Sequence, residues 1–161
     1  MIHTHSTRIY ADSAYDKYFS LKPSLPLWLA VLFLSREITL PLCMGAAHVA
    51  GVNEVALGVM RQLWTLDFSM APALPAAIVL YLFMRRVPTA SHTVRWLWSH
   101  GTALLVISAL IDAAVSSVKL ARTGEVNDVT LLSWICVCID LFVIGHALLS
   151  QRVRDTFTDF P

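Results

Sequence analysis

Residues Lys22–Ala50, KPSLPLWLAVLFLSREITLPLCMGAAHVA, constrain the chain more than any other stretch. The segment enters on a basic, proline-bearing edge and then runs apolar for most of its length, as a membrane span does. One interruption breaks it, the adjacent charges Arg36 and Glu37. A charge at mid-bilayer depth costs several kcal/mol on insertion scales, so it faces other helices or water. Neighbours in sequence sit ~100° apart on a helix and pair poorly. Arg36 and Glu37 therefore call for partners elsewhere in the chain, and an ion pair that fixes how helices dock is the simplest role for them. A proton or ion path is the functional rival.

The remaining sequence fits that class. Only 14% of the 161 residues are charged, where a soluble domain carries about a quarter. The length allows one domain. A net charge of +1 gives no electrostatic reason to expect nucleic acid. Cys43, Cys136 and Cys138 all lie in apolar runs, and Cys136-Val137-Cys138 lacks the Cys-x-x-Cys spacing of a redox or zinc site. Residues 1–19 are polar and carry no apolar signal core, so the first span is expected to act as its own insertion signal.

Four spans are expected, at about 25–47, 68–84, 96–120 and 130–150, making an all-α antiparallel four-helix bundle in a membrane. Pro26 suits a first turn, and Trp28, Trp96 and Trp98 suit interfacial anchors. Pro41 is expected to kink the first helix, while Pro72 and Pro75 loosen the start of the second. Between those two, Asn53–Leu66 reads as a short interfacial helix with Asn53 as its N-cap. Residues 85–95 read as a basic loop, 123–128 as a polar turn around Gly124, and 1–22 and 151–161 as polar tails. The tails and the 85–95 loop together hold 8 Lys and Arg, against 3 on the opposite side. The positive-inside rule then puts both termini in the cytoplasm.

The third span carries Ser108, Asp112, Ser116 and Lys119 at i, i+4, i+8 and i+11, which is one helix face. That stripe is expected to face the bundle as polar glue, with a water-lined path as the alternative. Asp140 lies in the fourth span. At ~1.5 Å per residue, Arg36 is about 16 Å from an edge at Leu25, Asp140 about 15 Å from one at Ser150, and Asp112 about 22 Å from one at Leu97. Depth therefore favours Asp140 as the partner of Arg36 and makes Asp112 the second choice. His100 and His146 fall at matched depth on antiparallel spans, the geometry of a bis-histidine haem, but nothing else in the chain supports a haem. Interfacial or hydrogen-bonding histidines are the simpler reading, and no cofactor or metal is expected.

The segment DKYFSLKPSLPLWLAVLFLSRE resembles the opening of the YfeZ-like family of small bacterial inner-membrane proteins of unknown function. The likeness rests on Asp16, Tyr18, Leu21-Lys22-Pro23, Trp28 and Arg36, and on Trp64, Pro72 and Pro75 around the second span. Glu37 departs from it, because an apolar residue or proline often follows the family's arginine. The resemblance implies membrane class and topology and brings no catalytic residues. The expected function is a non-enzymatic accessory or structural subunit of a membrane complex, with the bilayer, other membrane proteins or a second copy as partners. The rivals are a small transporter or proton-coupled component using Arg36, Glu37, Asp112 and Asp140, and a haem-binding electron-transfer subunit using His100 and His146.

Overall fold

A computed structural model describes residues 10–51, 58, 70–123 and 128–161. The expected interfacial helix at Asn53–Leu66 and the centre of the turn around Gly124 fall almost entirely outside those residues. Within them the chain is all-helical: α1 (Leu25–Leu34), α2 (Arg36–Val49), α3 (Met70–Met84), α4 (His92–Ser99), α5 (Gly101–Thr123), α6 (Asp128–Leu149) and α7 (Gln151–Thr158).

The long antiparallel pair α5–α6 is the backbone of the fold, α3 lies along α5, and α1 packs on α3. Each element turns one face to the common seam. On α3 that face is Pro72, Ala73, Ala76, Val79 and Leu82, at helical spacing, and on α1 it is Leu27, Ala30, Val31 and Leu34. Leu105, Ala109 and Val143 close the seam from α5 and α6. The opposite faces carry large apolar side chains that stay exposed, among them Leu29, Leu32, Leu74, Ile78, Leu110, Trp134, Leu141 and Phe142.

The expected first span, 25–47, is broken. The axis turns by 85° at Ser35, between α1 and α2, not at Pro41. Ser35 Oγ donates back to the carbonyls of Val31 at 2.7 Å and Leu32 at 3.3 Å, and such back-bonding bends helices. Pro41 lies inside α2, where it removes an N–H and crowds the carbonyl of Glu37 one turn earlier. The expected third span, 96–120, is also divided. It belongs to two helices, α4 and α5, separated at His100.

Among the described residues one helix, over Gly101–Val118, is by itself long and apolar enough to cross a membrane. Two bent pairs qualify if each is one span: α1 with α2, and Ser133–Leu149 with α7 across a 66° bend. Met70–Met84 is apolar but shorter.

The expected C-terminal tail is largely helical. Ser150 Oγ accepts from Val153 N–H and caps α7, which buries Val153, Thr156 and Phe157. The ring of Phe157 occupies the place a side chain on Gly101 would need: a Cβ there would overlap three of its ring atoms. That close approach requires glycine at the start of α5.

Candidate functional site

Two polar constellations stand out, one along the inner seam and one at the end of the bundle where α4 and α7 meet. The inner one starts at the α1–α2 break, which presents Arg36 as the first residue of α2. Arg36 Nη1 donates to Asp112 Oδ2 at 2.7 Å and Nη2 to Asp112 Oδ1 at 3.0 Å, a bidentate pair. Nη1 also reaches the Phe33 carbonyl at 3.2 Å, and the guanidinium lies 4.5 Å from the Phe33 ring centroid. Glu37 Oε1 stands 3.6 Å from Arg36 Nε, so these sequence neighbours do share an ion pair, at longer range. The Arg36 side chain is 23% exposed and that of Asp112 5%.

Asp112, and not Asp140, is thus the partner of Arg36. Counting depth from Leu97 assumed one helix through His100. With α5 beginning at Gly101, Asp112 is 11 residues in, about 16 Å, the depth of Arg36. The depth comparison was sound, but its origin was misplaced by one helical turn.

Asp140 stands beside this pair. It is fully buried and close enough to Asp112 for the two carboxyls to act on each other, yet among the described residues neither of its oxygens has a partner in hydrogen-bond geometry. Cys136, one turn before it on α6, feels Arg36, Asp112, Asp140 and Glu37 together, so the four charged groups form one cluster. The stripe read on α5 faces inward: Ser108, Asp112 and Ser116 are buried. Ser108 Oγ donates to the Pro72 carbonyl and ties α5 to α3. The side chain of Lys119 lies outside the described residues.

The second constellation was not anticipated. Arg86, expected in an exposed basic loop, is buried. Its Nη1 donates to the Leu21 carbonyl at 2.7 Å and its Nη2 to the Asp159 carbonyl at 2.8 Å, while the guanidinium packs 4.8 Å over the Trp98 ring. Asp159 Oδ2 accepts from Leu21 N–H at 2.7 Å, Trp98 Nε1 donates to the Thr156 carbonyl at 3.0 Å, and Tyr10 Oη donates to Asp155 Oδ2 at 2.7 Å. The N-terminal segment, the turn after α3 and the C-terminal helix are thereby knotted together. Phe83, Trp98, Phe157 and Phe160 fill the space between them. Burial pushes the Arg86 guanidinium's pKa down, with Asp16 and Asp159 acting against it. The hydrogen bond to Asp155 raises the pKa of Tyr10. Val153, Phe157 and Phe160 at i, i+4 and i+7 after Ser150 are the sequence signal for this end.

The two histidines go separate ways. His100 is exposed, its Nδ1 against the Trp96 carbonyl at 2.8 Å and its ring against Trp96. His146 stacks on Phe142 in an open groove with Gly145, Leu149 and Ser150. Among the described residues, no three His, Cys, Asp or Glu side chains are grouped to hold a metal ion.

Residues 10–159 match a family described as Protein of unknown function (DUF2919). The chain belongs to that family. The family match opens on Tyr10 and closes on Asp159, so it takes in both the Arg36 cluster and the Arg86 knot. No curated protein and no solved structure matches the chain.

Proposed function

We propose that the chain is an integral protein of a bacterial inner membrane, four spans with both termini cytoplasmic, serving as a non-catalytic accessory subunit of a membrane complex. The observation that carries this is the outward surface. Leu29, Leu74, Leu110, Trp134, Leu141 and Phe142 stand exposed on four different helices, where water would penalise them and lipid would not. In this reading α1–α2 is a broken span, with irregular backbone inside the membrane only where protein covers it, and the polar α7 lies on the cytoplasmic side of α6. The resemblance of the first half to YfeZ-like inner-membrane proteins supports the same compartment. The accessory role draws on Arg36 and Asp112, which engage each other and so act as an inter-helix tie. Flotation of membranes from expressing cells, with an alkaline wash, tests the placement. The protein is expected to float and to resist the wash, and release into the soluble fraction would refute it. Purification in mild detergent is expected to bring a second membrane protein with it, whereas a chain that purifies alone in every mild detergent would refute the subunit role.

A second reading, a proton-coupled component built on the same cluster, is favoured by one observation, the unpartnered and fully buried Asp140.

A further inference from the structure

Among the described residues, Asp112 from α5 and Arg36 from α2 act on Asp140. Cys136, one turn earlier on α6, feels these three and Glu37 of α2. α3, which packs on the same seam, buries only Pro72, Ala73, Ala76, Val79 and Leu82 and adds no titratable side chain. Among the described residues one guanidinium serves the cluster, and both of its terminal nitrogens are engaged by Asp112. An ionised Asp140 would be a buried charge whose oxygens receive no donor. Such a charge costs several kcal/mol unless it is neutralised. Asp112 and Asp140, adjacent to each other, meet that requirement by keeping a single proton between them, while Glu37 stands 3.6 Å from Arg36 Nε.

We propose that Asp112 and Asp140 form a proton-binding site, which in the present arrangement holds one proton on Asp140 while Asp112 is ionised against Arg36. The inference deepens the proton-coupled reading and rests on it only for what the site would be used for. The geometry also supplies a second state of equal charge. If the proton passes from the Asp140 oxygen to an Asp112 oxygen, Asp140 becomes the carboxylate and the guanidinium turns to it. Cluster charge is conserved, since one O–H bond breaks as another forms. The Arg36 side chain is 23% exposed against 5% for Asp112, so the guanidinium is the less enclosed partner of the pair. It stands at the Ser35 break, where α1 turns into α2.

Infrared spectroscopy of the purified full chain in detergent tests this, since a protonated carboxyl has a carbonyl stretch well separated from carboxylate bands. At neutral pH a band equal to one buried carboxylic acid is expected, and Asp140→Asn, which imitates the neutral acid in shape, should fold and lose it. Asp112→Asn should lose the same band, because the freed guanidinium then pairs with an ionised Asp140. Asp140→Glu, which keeps an acid there, should keep the band at a shifted frequency and covers the case in which asparagine prevents folding. A wild-type spectrum without the band, or a band untouched by both Asp140 variants, overturns the proposal and leaves Asp140 ionised with another cation. Flotation decides the membrane reading separately. A protein that floats without the band refutes the proton site alone, and one with the band that stays soluble refutes the membrane placement alone.

Discussion

Replacing Arg36 with leucine would leave Asp112, 5% exposed, facing Asp140 with no cation between them. Breaking one side of a buried ion pair costs about 3–5 kcal/mol in soluble proteins, because the abandoned charge stays buried. Here the loss is smaller, about 2–3 kcal/mol, since an abandoned carboxylate can take up a proton instead. Asp112→Leu should cost less again, about 1–2 kcal/mol, because Arg36 can turn to Asp140 and its partly exposed end can reach polar surroundings. The double variant removes both charges and puts apolar groups of similar size in their place, which is often close to neutral. Singles of about 2–3 and 1–2 kcal/mol against a near-neutral double variant give a coupling energy of about 3–5 kcal/mol, well above the ~0.5 kcal/mol scatter of independent sites. For a chain of this length, 1 kcal/mol moves a cooperative melting temperature by about 2–4 °C. A double-mutant cycle read by thermal melting in detergent resolves that. The same cycle with Asp140→Leu in place of Asp112→Leu should give the smaller coupling. If Arg36 and Asp112 prove additive within ~0.5 kcal/mol, the bidentate pair does not organise this seam and the argument built on it fails.

Gly101→Ala should destabilise by about 1–3 kcal/mol, since the new methyl overlaps Phe157 in a packed aromatic cluster. Gly101→Ala combined with Phe157→Ala should recover part of that loss in the same melting assay. Arg86→Met keeps the stem over Trp98 but forfeits the bonds to the Leu21 and Asp159 carbonyls, each a charge-assisted bond worth about 1.5–3 kcal/mol. Limited proteolysis should then cut both chain ends at lower protease concentration than in the wild type, and unchanged cleavage would contradict the knot. Tyr10 should hold its phenolic proton to higher pH than an ordinary tyrosine. Its contact with Asp155 favours the protonated form, so that contribution is present below the folded-state pKa and lost as pH rises through it. Phenolate absorbance should show the transition move down in Asp155→Ala, and an identical titration would refute the contact. Reporter fusions after Phe160 and after Gly124 should report cytoplasm and periplasm respectively, and reports from one side would refute the four-span reading.

What could be read from the sequence, and what could not, divides along a physical line. The apolar runs and the 3.6-residue spacing of Ser108, Asp112 and Ser116 fix which residues are helical and which face turns inward, because both follow from local geometry. Two-body matches such as Arg36–Asp112 depend on where each helix begins. At that origin, His100–Gly101, the ring of Phe157 packs against Gly101 from a tail that composition alone marks as polar. Arg86 is a second case in which the partners come from far along the chain. A charged residue in a basic loop looks solvated until the carbonyls of Leu21 and Asp159, from the two ends of the chain, are brought to it. Long-range contacts thus decided each case in which a local signal pointed elsewhere. Among the described residues they also leave Asp140 buried with neither carboxyl oxygen hydrogen-bonded. Arg86, by contrast, finds acceptors at both ends of the chain for Nη1 and Nη2, although its Nε stays without a partner among the described residues. The carboxyl on α6 is therefore the position where packing gives no account of the residue, and where the infrared comparison of Asp140→Asn with the wild type puts the proposed proton to the test.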